Sequence, residues 1–204
     1  MPEITNPLWL LALVGLAAYL LGAIPFGVVI ARVMGLGDLR QIGSGNIGAT
    51  NVMRTGNKLA GVLTFVLDAG KGALAALLAW WAFGADAGQI AALMAFLGHL
   101  YPVYLGFKGG KGVATFIGTA LVLAWPVGVA ICAIWALVFK LSRYSSLSAL
   151  VAAGFSPLLA FVLGYGQMLG LFALLAAMIF WKHRENIARL QAGTEGRFQK
   201  KQKP

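Results

Sequence analysis

Apolar residues run through this chain in long blocks, and polar residues gather in short clusters between them. The block from Leu8 to Ala31 is almost unbroken, and comparable blocks recur down the chain. Roughly 20 consecutive apolar residues are enough for a helix to cross a bilayer. The pattern predicts seven helical segments, at 8–31, 59–83, 88–105, 113–124, 126–141, 147–163 and 167–181. The fourth and fifth are divided at Trp125-Pro126, because proline disrupts a helix interior and pushes the preceding residue out of the α region. The sixth and seventh are divided at Gly164-Tyr165-Gly166, since a single 35-residue helix over 147–181 exceeds an ordinary span. Treating 113–141 and 147–181 as single helices gives five spans instead.

Charge decides between these counts. Arg32, Arg40, Arg54 and Lys58 fall in the first loop, Lys108 and Lys111 after the third segment, and Lys140 and Arg143 after the fifth. Lys182, Arg184, Arg189, Arg197, Lys200, Lys201 and Lys203 fill the tail, so these clusters hold 15 of the 16 basic residues. The alternate loops, near Asp86, Trp125 and Tyr165, carry none. Basic loops stay on the cytoplasmic side. Seven spans put every basic loop there and the N-terminus outside, whereas five scatter them across both sides. Glu3 is the only charge ahead of the first block, so that block lacks the basic start of a cleaved signal and is expected to be a retained helix. The expectation is an all-α, polytopic integral-membrane helical bundle forming one domain over 1–204. Residues 188–204 are expected to be a basic cytoplasmic tail lying near lipid headgroups.

Composition agrees. Only 11% of the 204 residues are charged and 60% are hydrophobic, against about 25% charged in a typical soluble domain. The net charge of +10 is explained by basic loops facing anionic lipid, not by nucleic acid. Cys132 is the single cysteine, so no internal disulfide forms, and zinc-type Cys and His spacing is absent. No metal and no cofactor are expected.

Two glycine-rich cassettes interrupt the apolar sequence. The first runs from Gly43 through Ser44, Gly45, Asn46, Gly48, Thr50 and Asn51 to Arg54, and the second from Gly106 through Lys108, Gly109, Gly110 and Lys111 to Gly112. Successive backbone N–H groups in such turns form anion-binding concavities, and Arg54, Lys108 and Lys111 add full positive charges. The second cassette leads into a helix, whose N-terminus also favours anions. Gly43-x-Gly45-x-x-Gly48 matches the dinucleotide fingerprint formally, but no βαβ unit surrounds it. Neither cassette has the P-loop spacing. Asp68 and Lys71 lie deep in the second segment, three residues apart on one face. Intramembrane ionisable groups face a bundle interior or a site, so the pair is either structural support or part of the chemistry. His99 precedes the second cassette, and His183, Glu185 and Asn186 close the last segment near the same membrane level.

These residues, in order, closely resemble the three cytoplasmic motifs of the PlsY-type acyl-phosphate:glycerol-3-phosphate acyltransferases. The resemblance rests on Ser44-Gly45-Asn46-x-Gly48-x-Thr50-Asn51-x-x-Arg54, on His99-x-x-Pro102-x-x-x-Gly106-Phe107-Lys108-Gly109-Gly110-Lys111-Gly112-Val113-Ala114-Thr115, and on His183-x-Glu185-Asn186-Ile187. Asp68-x-x-Lys71-Gly72 fits the same pattern, and the match spans nearly the whole chain. It implies acyl transfer from a long-chain acyl phosphate to the sn-1 hydroxyl of glycerol 3-phosphate, giving lysophosphatidic acid and phosphate in the bacterial cytoplasmic (inner) membrane. The His-x4-Asp signature of the other acyltransferase class is absent.

The residues expected to carry catalysis are Ser44, Arg54, His99 and Lys111. Phosphate binding is assigned to Ser44, Arg54, Lys108, Lys111 and the loop amides, with Gly43, Gly45, Gly109, Gly110, Gly112 and Thr115 shaping the site. Asn46, Thr50, Asn51 and Asn186 are expected to orient glycerol phosphate, with His183 and Glu185 beside them. Asp68 and Lys71 are taken as support. The general base is either His99 or a substrate phosphate, and the resemblance favours the substrate. The chain is expected to act as a monomer, with an oligomer left open. A transporter for an organic phosphate would need polar groups reachable from both sides, yet here they cluster on one. A lipid-binding scaffold leaves the ordered motifs unexplained.

Overall fold

The computed structural model describes residues 3–198; Lys200, Lys201 and Lys203 of the basic tail lie outside the described residues. Helices α1 (Leu8–Ala23) and α2 (Phe26–Val33) make one broken rod, joined through Ile24-Pro25. A short helix, α3 (Ala49–Met53), leads to α4 (Lys58–Phe83) and α5 (Ala85–Leu100). Then come α6 (Val113–Leu123), α7 (Trp125–Ser142), α8 (Ser145–Val162), α9 (Leu169–Lys182) and α10 (Arg184–Gln191). Among the described residues there is no strand.

Each of the seven predicted segments is helical. The break at Trp125 is present: Ala124 leaves the helical region at φ −150° and ψ 74°, and Pro126 sits in the first turn of α7. A missing N–H is harmless there, because first-turn donors have no partner inside the helix. Asn57 starts α4 by accepting a hydrogen bond from Ala60 N–H at 3.0 Å. Among the described residues, five stretches are long and apolar enough to cross a bilayer: Leu8–Val33, Lys58–Phe83, Ala85–Leu105, Trp125–Ser142 and Ser145–Val162. A sixth is the pair Gly166–Lys182 and Arg184–Gln191, bent by 61°. Helix α6 has only 11 residues. At about 1.5 Å per residue it falls well short of the roughly 30 Å hydrocarbon layer.

Three apolar clusters hold the bundle. Phe96, Phe116, Leu175 and Ile179 anchor the largest, between α5, α6, α7, α8 and α9, with the Phe116 and Phe172 rings edge-on at 6.2 Å. Small residues (Ala18, Ala75, Ala79, Ala91 and Ala95) seam α1, α4 and α5, the packing expected where lipid removes the hydrophobic drive between helices. Ile30, Leu39, Val52 and Ala60 form the third cluster, which seats the first cassette on α4. At the opposite end, Asp86 accepts hydrogen bonds from the Thr5 and Asn6 N–H groups and ties the N-terminal segment to α5. Leu67, Leu78, Trp81 and Phe161 point outward, as lipid-facing side chains do.

Candidate functional site

Both cassettes, the start of α8 and the bend after α9 meet at a single cavity of about 540 Å³. Its polar end is lined by Ser44, Asn46, Thr50, Asn51, Arg54, Asp68, His99, Lys111, Arg143, Ser145, Ser146, His183, Asn186 and Glu195. Its apolar wall is built from Phe65 of α4, Ile117 of α6 and Cys132, Trp135 and Phe139 of α7.

In the first cassette Asn51 is the organising residue. It is buried; Oδ1 accepts from Ser44 N–H at 3.0 Å and faces Ser44 Oγ at 3.3 Å, while Nδ2 donates to the Leu39 and Asn46 carbonyls at 3.0 and 2.7 Å. Its side chain is spent on the loop, so the expected contact with glycerol phosphate gives way to a role in placing Ser44. Gly43, at φ +53°, leaves space that Asn51 and the Arg54 stem fill. Gly45 N–H donates to the Ile42 carbonyl at 2.9 Å. Arg54 lines the cavity, and its guanidinium has no hydrogen-bond or ion-pair partner among the described residues. Asn46 Oδ1 is buried and has no hydrogen-bond partner among the described residues. Thr50 Oγ1 lies 3.1 Å from Ser145 Oγ, which links the cassette to α8.

The second cassette lies flat across the end of α5. Gly109 N–H donates to the Leu100 carbonyl at 3.2 Å and Gly110 N–H to the His99 carbonyl at 3.0 Å. These two amides are therefore not the phosphate cradle expected of the loop: the glycines allow contact with the helix end. A Cβ on Gly110 would run into His99 Nε2, and one on Gly112 into the Phe96 ring. Gly112 also holds φ +84°, a conformation that side chains oppose. The free donors are at the start of α6, where Gly112, Val113 and Ala114 line the cavity. Its first-turn N–H groups lack intrahelical partners, and the helix dipole favours an anion there. Ser145 and Ser146 open α8 on the same cavity.

Lys111 reaches across to Asn186, its Nζ donating to Asn186 Oδ1. Burial, with the Arg189 charge as the next cause, pushes the Lys111 ammonium down to about 8. Lys108 does not join it: its side chain is exposed and off the cavity, and its carbonyl accepts from Arg40. Glu185 is likewise exposed and off the cavity, whereas Asn186 is buried in it. Thr115 is buried beneath the floor, its hydroxyl donating to the Asp68 carbonyl at 2.9 Å. His183 Nδ1 pairs with the Ile179 carbonyl at 2.8 Å, which leaves Nε2 for the cavity side.

Under the polar end, Asp68 pairs with Lys71 at 2.8 Å, and Lys71 Nζ also donates to the Ile24 carbonyl at 2.7 Å. His99 Nδ1 stands 3.6 Å from Asp68 Oδ1. The predicted support pair is thus formed, and it reaches His99 and the α1–α2 break.

Part of the tail, expected on the surface, returns to the cavity. Glu195 Oε1 accepts from Ser146 Oγ and Asn186 Nδ2, each at 2.6 Å, and Oε2 from Arg189 Nε at 2.8 Å. Burial works against ionisation of Glu195, but these donors outweigh it and hold the carboxyl below the usual range. Phe198 N–H donates to the Arg143 carbonyl at 3.0 Å, and its ring packs on Phe139. Sequence reasoning missed Glu195, Ser145, Ser146 and Arg143. Two adjacent serines opening a helix after Arg143, and a lone acid in a basic tail, are the signals that pointed to them.

Comparison with known proteins places this geometry among relatives. Residues 12–193 match the family described as Glycerol-3-phosphate acyltransferase. A "Glycerol-3-phosphate acyltransferase" from Jannaschia sp. (strain CCS1) is 61% identical over 194 residues, covering 95% of this chain and 96% of that protein. One from Cereibacter sphaeroides (strain ATCC 17029 / ATH 2.4.9) is 62% identical, covering 98% and 100%. The fold is similar to the crystal structure of PlsY (YgiH), an integral membrane glycerol 3-phosphate acyltransferase, in its glycerol 3-phosphate form. There the TM-score is 0.88 and the identity 44%, with 93% of this chain and 96% of that chain covered. Its lysophosphatidic acid form aligns with a TM-score of 0.85 at 41% identity, covering 93% and 95%.

Proposed function

The chain belongs to the glycerol-3-phosphate acyltransferase family, and we propose that it moves an acyl group from acyl phosphate to the sn-1 hydroxyl of glycerol 3-phosphate. The observation that carries this reading is one cavity whose cationic end continues into an apolar wall. Both substrates bear phosphate and one bears a lipid chain. Arg54, Lys111, Ser44 and the starts of α6 and α8 suit the phosphates, since Arg forms a planar fork and helix N-termini supply free N–H groups. Phe65, Ile117, Cys132, Trp135 and Phe139 suit the acyl chain.

The donor is already activated, so the protein's work is positioning and charge stabilisation. The acceptor hydroxyl oxygen attacks the acyl carbon and a C–O ester bond forms. The bond from that carbon to the phosphate oxygen breaks, and phosphate leaves with its electron pair. The hydroxyl proton passes to a phosphate oxygen of a bound substrate. His99 is set back from this transfer, its two ring nitrogens lying beside Asp68 and Gly110. The products are lysophosphatidic acid and inorganic phosphate, an early step of phospholipid synthesis.

In this reading the basic loops that border the cavity face the cytoplasm, so water-soluble glycerol 3-phosphate enters from the cytoplasmic face of the bacterial inner membrane. The chain works as a monomer in this reading. The decisive experiment incubates the purified protein with palmitoyl phosphate, with and without glycerol 3-phosphate. Phosphate release that depends on glycerol 3-phosphate, with 1-acyl product, is expected. Release without the acceptor, or product formed only from acyl-CoA, would overturn the donor assignment.

A further inference from the structure

We propose that Asp68 and His99 are positioning residues for the second cassette: Asp68, anchored by Lys71, faces the His99 imidazole that Gly110 rests on, and this contact sets where Lys111 meets a substrate phosphate. The proposal rests on the acyl-transfer reading only in taking Lys111 as a phosphate ligand.

The contacts form a continuous line through four elements. The Ile24 carbonyl accepts from Lys71 Nζ at 2.7 Å, and Lys71 pairs with Asp68 at 2.8 Å. Asp68 Oδ1 faces His99 Nδ1 at 3.6 Å. His99 then touches Gly110 twice, through its carbonyl to the Gly110 N–H at 3.0 Å and through Nε2 against the Gly110 Cα, where a Cβ would not fit. Lys111 is the next residue. Asp68 is 2% and His99 4% exposed, so neither is solvated, and His99 Nδ1 has no hydrogen-bond partner among the described residues. Three ionisable residues inside a lipid-embedded bundle are costly to bury. An apolar trio would pack there more cheaply if packing were all that the position required. What polar groups add is a fixed orientation, the service that outer partners give to ligating residues. Asp68 and His99 also border the cavity, but the line of contacts ends beside a phosphate-binding side chain only at Lys111.

That last point makes the test specific. Residues that act through a shared group give non-additive losses, whereas independent ones add. His99→Ala is expected to lower kcat/KM about 10²-fold, the size of a small misplacement of a binding group. In a Lys111→Ala background the same change is expected to do nothing further, and Asp68→Asn is expected to behave like His99→Ala and not to add to it. The Tm of His99→Ala in detergent stays near that of the parent, whereas Asp68→Asn, which strips buried Lys71 of its counter-charge, lowers it. Additive losses, or an unchanged kcat/KM in His99→Ala, would overturn the relay. Gly110→Ala supplies the same cycle by pushing the ring instead of removing it, should His99→Ala not fold. Equilibrium binding of inorganic phosphate to each variant reads the coupling without turnover. A parent protein that binds phosphate but transfers no acyl group therefore strikes the acyl-transfer reading, while additive binding losses strike the relay.

Discussion

Lys111 and Asn186 stand 75 positions apart in the chain and share one hydrogen bond at the mouth of the α9–α10 bend. The amide that accepts from Lys111 donates its own N–H to Glu195 at 2.6 Å. An amide has a distinct donor and acceptor end, so Glu195 decides which end faces Lys111. Replacing Glu195 by Ala leaves Asn186 free to turn and Ser146 without its acceptor, whereas Gln keeps one amide oxygen for them and loses the charge. Hydrogen bonds to charged groups contribute about 1.5–3 kcal/mol. Glu195→Ala is therefore expected to lower kcat/KM about tenfold or more and to depress the Tm. Unchanged kinetics in both variants would show that the returning tail is only packing.

Arg54 offers a guanidinium that no group among the described residues has claimed. Arg54→Lys keeps one positive charge but loses the fork that grips two phosphate oxygens. The expected loss is about 10²-fold in kcat/KM, the range found when one aimed donor is removed from a charged transition state. Steady-state kinetics with both substrates varied will check it, and a Lys variant as active as the parent would mean Arg54 works only as a point charge.

Lys111 is expected to set the alkaline limit of the proposed acyl transfer. Its pKa of about 8 means the ammonium is present below that pH and is lost as pH rises through it. Acyl transfer is expected to fall above about pH 8, and Lys111→Arg to carry the descending limb to higher pH. Stability has the opposite sign: the unfolded lysine keeps its proton up to the ordinary value of 10.5, so the unfolded chain binds more protons between the two values. Stability then gains from Lys111 as pH rises across that window. A kcat/KM profile of the two proteins tests the first statement and Tm against pH the second.

Gly112 holds φ +84° with the Phe96 ring where a Cβ would go. Gly112→Ala is expected to cost about 1–3 kcal/mol from backbone conformation alone, and more from displaced packing. Thermal unfolding in detergent measures it. A variant with the parent's Tm would mean the start of α6 shifts freely.

In the proposed reading the apolar wall receives the acyl chain, so it is expected to select chain length. Cys132 and Ile117 line it from α7 and α6. Cys132→Phe and Ile117→Trp are expected to favour shorter acyl phosphates, seen as a crossover in kcat/KM across chain lengths. A uniform loss at every length would place the chain elsewhere.

The helices were legible because lipid forces each apolar block to satisfy its own backbone hydrogen bonds, and the Trp125-Pro126 break carried its own signal. Ser44, Arg54 and Lys111 stood out because polar and charged groups among glycines have little other use in such a chain, and Asn186 because it sits in the polar cluster that closes the last apolar block. What sequence could not give was where donors point. Gly109 and Gly110 looked like free amides, yet α5 ends with bare carbonyls that claim them. Asn51 looked like a ligand, but the loop consumes its amide. Lys108 and Lys111 are three apart, and only the path of the backbone turns one inward and the other to solvent. Glu195 carries one negative charge in a basic stretch, and its pairing with Ser146 is a contact across 49 positions that no local pattern encodes.

The returning tail also fixes when this molecule becomes an enzyme. Ser44 emerges early from the ribosome and Glu195 very late, yet they border the same space. A nascent chain entering the membrane helix by helix passes through every earlier stage as an inert lodger. Full activity is expected only once the end of the chain swings Glu195 beneath Asn186. A chain cut short after α9 loses Asn186 as well as Glu195, and is expected to keep most of its core in the bilayer while losing its acyl transfer.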